Sequence, residues 1–478
     1  MADDAKDESS HAQAHPEDER IWPAIKEALK GSHRNYTEGS IGRSIVLLAI
    51  PMVLEMLMES VFAVVDIFWV AHLGTDAAAT VGLTESLLTL IYAIAMGLSI
   101  GATATIARRI GEKNPEGAAR AAVQAIAIAL LVSLTIAAIG APLAPRLMQA
   151  MGGSPWVIEH GSAFTRVMLG CNVTVVMLFM VNAIFRGAGD AAIAMRTLWL
   201  ANWINIILGP CLIFGIGPFP KLGIVGAAIA TNIGRGTGAL YALSKLVRSG
   251  GRFDIRREHL KIEPAIMTRL VRLSSTATFQ VFIGMASWIG LVRTISSFGT
   301  HVVAGYIIGI RVIIFALLPS WGMSNAAATM VGQALGAGKP ERAERAVWKA
   351  GFYNFIFLGT VGLIFVLFAR QIIGLFTTDP NVMPYGVDCL RIVAYGFLFY
   401  AYGMVLTQSF NGAGDTWTPT IINLFVFWLW ELPLAYVLAK VFGLGPRGVF
   451  LAIMIAFSTL AIVSALIFRR GKWKGQKV

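Results

Sequence analysis

The chain has 478 residues, 56% of them hydrophobic and only 14% charged, with a mean hydropathy of +0.68. A soluble domain carries about 25% charged residues, so this composition excludes an ordinary soluble globular protein and places the chain in lipid. The net charge of +12 would suit a nucleic-acid binder, but the Lys and Arg residues gather in short loops on one side of the apolar runs, which membrane topology explains.

Residues 1–20 are acidic and read as a disordered tail, and Ile21–Leu29 as a short interfacial helix; no cleavable signal is recognisable. Twelve apolar runs follow, each near the roughly 20 residues that cross a hydrocarbon core. They are read as spans at 44–71, 79–107, 119–144, 162–185, 193–216, 223–247, 265–297, 302–331, 347–368, 387–410, 418–441 and 447–468. The 49 glycines and 18 prolines lie inside or beside these runs and do not punctuate ten-residue alternations, which argues against a porin-like barrel. The expected fold is an all-α membrane protein.

Arg108, Arg109, Lys113, Arg120, Arg186 and Arg196 fall on one side, with Lys245 to Arg272, Lys339 to Lys349 and the tail from Arg469. By the Lys/Arg rule that side, with both termini, is cytoplasmic, and a bacterial inner membrane is expected. Cys171, Cys211 and Cys389 have neither disulfide nor metal spacing and read as small hydrophobes.

The chain repeats itself. The segment 97–122 aligns without gaps to 322–347, FRGAGD (185–190) to FNGAGD (410–415), and HLGT (72–75) to SFGT (297–300), all at an offset of 225 residues. Six spans repeated in the same order make a parallel duplication, two six-helix bundles related by a pseudo-twofold axis along the membrane normal. The expected organisation is a tail with a short helix over 1–37, bundles over 38–247 and 265–468, a linker over 248–264 and a basic tail over 469–478. A duplicated pair suits a transporter, because one half can rock against the other around a midplane site.

Acids inside spans need a reason, since one at the centre of a helix costs about 2.5–3.5 kcal/mol on insertion scales. Span one holds Glu55, Glu59 and Asp66, which share one helical face about 16 Å long. Three acids on one low-dielectric stripe cannot all ionise cheaply, and Glu55 and Glu59 are expected to titrate as a pair. Such a stripe can hold a proton, Na⁺ or a cationic compound, but not several at once. The plainer alternative is that Glu55 and Glu59 bond across to neighbouring helices. Glu85 belongs to the same cluster or to a solvated helix end. Glu431, among Trp428, Trp430 and Pro433, lines the cavity or pairs with Arg311. Pro51, Pro210, Pro319 and Pro433 permit bending within spans. Met56, Met58, Phe62, Met180 and Trp203 suit greasy substrates, or ordinary packing.

With the duplication, the RGAGD/NGAGD pair, VVDIFWVAHLG in span one, KLGIVGAAIAT and VGQALGAGKPERA in view, the chain resembles the multidrug and toxic compound extrusion (MATE) family over residues ~38–468. The resemblance implies a V-shaped pair of lobes and cation-coupled efflux of organic cations. The family's span-one Asp falls on Asp66. In some prokaryotic members the cation site adds an N-x-x-x-D-P pattern in span five and a Thr in span six. Here Asn205 and Thr231 match, but Gly209 replaces the acid, and Glu55 or Glu59 is the candidate replacement charge. Other members place acids in spans seven and ten, where this chain has only Gln280, Tyr395, Tyr400, Tyr402 and Gln408. That argues against a carboxy-lobe ion site of that type. Gln280 and Tyr400 join Glu85 and Glu431 as substrate-cavity candidates.

The expected function is therefore an H⁺- or Na⁺-coupled antiporter, with no cofactor beyond the coupling ion. It exports small cationic or amphipathic molecules, contacts membrane lipid, binds no nucleic acid and acts as a monomer. The competing reading is a lipid or lipid-linked oligosaccharide flippase of the same superfamily. An enzyme lacks support, since no HExxH, paired His ligands or nucleophile–base arrangement is present.

Overall fold

The computed structural model describes residues 21–32, 34–248 and 252–476; the acidic tail over 1–20 lies outside them. The described residues form helices and no strands. They begin with α1 (Ile21–Lys30), α2 (Ile41–Ala71), α3 (Thr75–Gly111) and α4 (Pro115–Ala150). A short π turn then leads into α5 (Ser162–Gly170), and α6 (Val173–Ala188), α7 (Ala191–Phe214) and α8 (Ile224–Val247) complete the first bundle.

The second bundle runs through α9 (Pro264–Ser296), α10 (Thr300–Gly336), α11 (Pro340–Gly374), α12 (Met383–Tyr395), α13 (Phe397–Ala413), α14 (Trp417–Asn423), α15 (Leu432–Tyr436) and α16 (Pro446–Arg469). Segments of π helix flank α15, so Trp417–Val441 is one crossing element. Ten elements are long and apolar enough to span a membrane, and the bent pair α12–α13 supplies an eleventh. The twelfth crossing element is α8. Its 24 residues suffice in length, but Asn232, Arg235 and four glycines dilute its apolarity.

The helices overrun the apolar runs. Where hydropathy suggested 79–107 and 302–331, α3 and α10 occupy 75–111 and 300–336. They begin at Gly74 and Gly299, with φ of +99° and +106°, a conformation glycine adopts without steric cost. Hydropathy ends with the last apolar residue, whereas a helix ends at its cap. The sharpest break falls at none of the prolines singled out in the sequence: α12 and α13 meet at Gly396 with a bend of 60°.

The duplication is visible atom by atom. A Cβ on Gly97 would collide with the Thr278 backbone, and one on Gly322 with Met52 and Val53; Thr278 and Val53 are themselves 225 residues apart. Gly111 abuts the Gln333 carbonyl as Gly336 abuts that of Arg108, and Gly187 abuts Thr103 as Gly412 abuts Ala328. Small residues allow backbones to approach closely, which is how helices associate in lipid without a hydrophobic drive.

Through these contacts the first spans exchange ends. Ile45–Met52 of α2 join the core of the second bundle, and Leu270 of α9 joins that of the first. Near the ends of α3 and α10, Arg108 donates to the Gln476 carbonyl at 2.6 Å, and Arg342 of α11 to that of Tyr36 at 3.0 Å.

Candidate functional site

The acidic face of α2 points into the first bundle, where two arginines meet it. Glu55 is 1% exposed. Its Oε1 accepts from Arg186 Nη1 at 2.8 Å and from Asn182 Nδ2 at 3.3 Å, both on α6. One turn further, Glu59 accepts from Arg235 Nη2 of α8 at 3.4 Å and from Asn202 Nδ2 of α7 at 3.2 Å. The expected row of mutually repelling acids is thus interleaved with guanidinium groups, and the plainer expectation for Glu55 and Glu59, bonds to neighbouring helices, describes their geometry. A charge removed from water requires a partner close by, and arginine's fork of donors supplies one.

Arg235 organises this region. It is 4% exposed, and its guanidinium lies 5.4 Å from the Phe62 ring and 5.8 Å from that of Tyr92. Its Nε and Nη1 are buried without a hydrogen-bond partner among the described residues. Asp66, two turns beyond Glu59, is half-buried and lies within electrostatic reach of Arg235 and Glu85. Among the described residues it makes no ion pair and no hydrogen bond. Asn205 and Thr231 do come together, the amide donating to the hydroxyl at 2.8 Å. A Cβ on Gly209 would meet only the Asn205 Oδ1, at 3.9 Å, so the missing acid leaves open space.

The cavity candidates divide. Glu85 is exposed and within electrostatic reach of Arg311 of α10, while no ion pair joins Arg311 to Glu431 among the described residues. Glu431 is 2% exposed, near Tyr306 and Tyr400. Tyr400 stacks on Phe457 at 3.8 Å. Gln280 is buried with its Oε1 unbonded. On the axis, Ser99, Thr103, Arg186, Asn325, Gln408 and Asn411 line a cavity of about 40 Å³, room for a few water molecules at most.

Sequence reasoning missed Arg235 and misplaced Arg186. Arg235 is a basic residue in the middle of a span, the same signal that singled out the acids. Arg186 was assigned to a loop because FRGAGD reads as one. The helix in fact continues to Ala188 and ends at Gly189, whose φ of +89° is left-handed.

Twice-six spans, a shared axis and charges buried within the membrane define a membrane transporter built by duplication. The MatE family profile matches twice, over residues 51–211 and 274–437, and the chain belongs to this family, the multidrug and toxic compound extrusion transporters. It is similar to the probable multidrug resistance protein NorM of Thermotoga maritima, 27% identical over 92% of this chain and 94% of that one. It is also similar to the FAD transporter of Shewanella oneidensis, 26% identical over 90% and 95%. A crystal structure of a MATE protein in the straight conformation superposes with a TM-score of 0.87 at 28% identity, over 93% of this chain and all of that one.

Proposed function

We propose that this protein is a cation-coupled antiporter that exports organic cationic or amphipathic compounds by alternating access, as a monomer in a bacterial inner membrane with both termini cytoplasmic. The observation that carries the reading is Asp66. Arg186 answers Glu55 and Arg235 answers Glu59, while Arg311 lies opposite Glu85. Asp66 is the acid of the stripe left without an ion pair, so one positive guest arriving there changes the charge of the vestibule.

The proton fits this place better than Na⁺. A metal ion of that size needs several oxygen ligands, whereas a proton needs one carboxylate, and Arg235 lies within electrostatic reach of Asp66. In the proposed cycle, cargo enters from the cytoplasmic side against ionised Asp66. The bundles rock, closing the cytoplasmic end through the Gly111 and Gly336 clasp and opening the other. An external proton then neutralises Asp66, and cargo leaves. Glu55 and Glu59 hold α2 against α6 and α8, and Asn205 and Thr231 shape the wall beside the Gly209 space. The test is dye efflux from proteoliposomes under separately imposed proton and sodium gradients. Proton-driven efflux lost in Asp66→Asn supports the reading; uphill export by that variant at the wild-type rate overturns it.

A second reading, phosphate-bearing anionic cargo as for a flippase, is favoured by Arg186 beside the axial cavity and by exposed Arg311. The similar Shewanella oneidensis protein is named for FAD, whose diphosphate is anionic. Efflux of an anionic phosphate compound with no efflux of dye cations decides for it.

A further inference from the structure

The second bundle carries its own buried acid, and the duplication says what it replaced. Trp203 and Trp428 are still 225 residues apart. Leu222 and Gly223 donate to the Leu212 and Ile213 carbonyls in the first bundle, and Leu444 and Gly445 donate to those of Leu438 and Ala439 in the second; these acceptors are 226 apart. One residue has therefore been inserted in the second half between Trp428 and Leu438. The π segment Leu424–Glu431 accommodates it, since a π turn takes up one extra residue and such bulges recur at functional sites. The same register holds farther on, where Gly226 abuts Leu212 and Gly448 abuts Leu438.

Counted in this register, Glu431 stands where the first bundle has Asn205. The Gly226–Gly448 register places Ile453 where the Thr231 hydroxyl oxygen accepts from the Asn205 amide. In span seven, Leu291, Gly284 and Gln280 stand in place of Asp66, Glu59 and Glu55. The second bundle has thus lost the span-one stripe and gained a carboxyl on the facing element. Glu431 has no ion pair among the described residues, and no charged side chain acts on it. The titratable groups facing it are Tyr306 of α10 and Tyr400 of α13, with Cys389 of α12 behind Tyr306. The Asp388–Arg447 pair joins α12 to the start of α16. Among the described residues the buried Tyr306 hydroxyl has no hydrogen-bond partner, so a donor stands ready for a carboxylate.

A buried carboxyl without a cation persists by holding a proton, and an acid inside a membrane protein is functional by default. We propose that Glu431 is a second proton-binding group, taking up and releasing one proton in the carboxy-terminal bundle independently of Asp66. Uptake converts the carboxylate to the neutral acid; on release, the tyrosine hydroxyls donate to the carboxylate in the proton's place.

The test is infrared difference spectroscopy of the purified full-length protein in lipid nanodiscs across a pH titration, followed in parallel by the fluorescence of Trp428 and Trp430. Wild type is expected to show a protonated-carboxyl C=O band and a fluorescence step that vanish in Glu431→Gln and survive in Asp66→Asn. A Glu431→Gln protein with the wild-type band and step overturns the proposal. Tyr306→Phe keeps the acid and removes a donor, so it should move the midpoint of that titration by at least about half a pH unit. An unmoved midpoint also overturns it, which covers the case of a Glu431→Gln protein that does not fold. These readouts need no cargo, so failure of the antiport reading leaves them intact.

Discussion

Breaking the Glu55–Arg186 pair gives the sharpest quantitative test of how α2 is held. The two side chains are 2% and 11% exposed and meet at 2.8 Å. Exposed pairs contribute about 0–1 kcal/mol, but removing one partner of a buried pair costs about 3–5 kcal/mol, because the survivor stays buried and uncompensated. Arg186→Gln leaves Glu55 with only Asn182, at 3.3 Å, and is expected to lose about 3–5 kcal/mol. Glu55→Gln removes the charge that Arg186 answers and should lose about as much. The double variant restores charge neutrality and should recover most of the loss, a coupling of about 2–4 kcal/mol. The assay is equilibrium unfolding of the purified protein in mixed micelles at rising denaturing-detergent fraction. Single variants within about 1 kcal/mol of wild type, or losses that add to within about 0.5 kcal/mol, would refute the account of Glu55 as a structural partner.

Arg235→Gln removes the partner of Glu59 and the cation over Phe62 and Tyr92. It is expected to lower stability by about 1–3 kcal/mol in the same unfolding assay, with Arg235→Lys losing less. Gly111→Leu drives a side chain into the Gln333 carbonyl and should abolish the folded monodisperse peak in size-exclusion chromatography. At Gly82, where a Cβ meets nothing within 4 Å, alanine should be tolerated. Outside the membrane, partial burial pushes the Glu27 carboxyl upward, but bonds from Arg43 and Ser32 with the charge of Arg34 outweigh it and hold Glu27 below the usual carboxylate range. A depressed carboxylate stabilises above its unfolded value and loses that contribution as pH falls through the folded one. Hydrogen exchange of α1 should therefore stay slow at neutral pH and accelerate only in acid below the ordinary carboxylate range, and Glu27→Gln should remove that dependence.

The sequence-readable part of this protein is its scaffold, for a physical reason. Spans follow from apolar length, and the duplication from glycines that must recur wherever two backbones touch, so Gly97, Gly111 and Gly187 announce Gly322, Gly336 and Gly412. The stripe on α2 was legible because helical phase alone places Glu55, Glu59 and Asp66 on one face. Their partners were not, because Arg186 and Arg235 lie 131 and 176 residues further along the chain, and no local pattern fixes which helix faces which. The short α1 was legible from its composition and forms as Ile21–Lys30. The break at Gly396 was hidden because the sequence around it remains continuously apolar. The π insertion after Trp428 was hidden because one extra residue alters no hydropathy window; only paired backbone hydrogen bonds from the two bundles expose it.

The two bundles share contacts to the atom and differ in charge. Where close backbone approach is required, both halves keep glycine, since any Cβ would collide. Where polarity is set, the halves part: acids with arginine partners on the first, amides and apolar residues at the same places on the second, and one unpaired carboxyl on the facing element instead. Rocking of two equivalent bodies needs the scaffold to stay symmetric, because each α2-like end docks into the other's core. Side chains away from those contacts are under no such demand, since backbone approach does not depend on which charges the two halves carry. The glycine pairs and the displaced acid are therefore two answers to separate demands, and substitutions should sort accordingly. Changes at the glycines should abolish folding, and changes at Asp66 or Glu431 should leave a folded protein whose response to pH has changed.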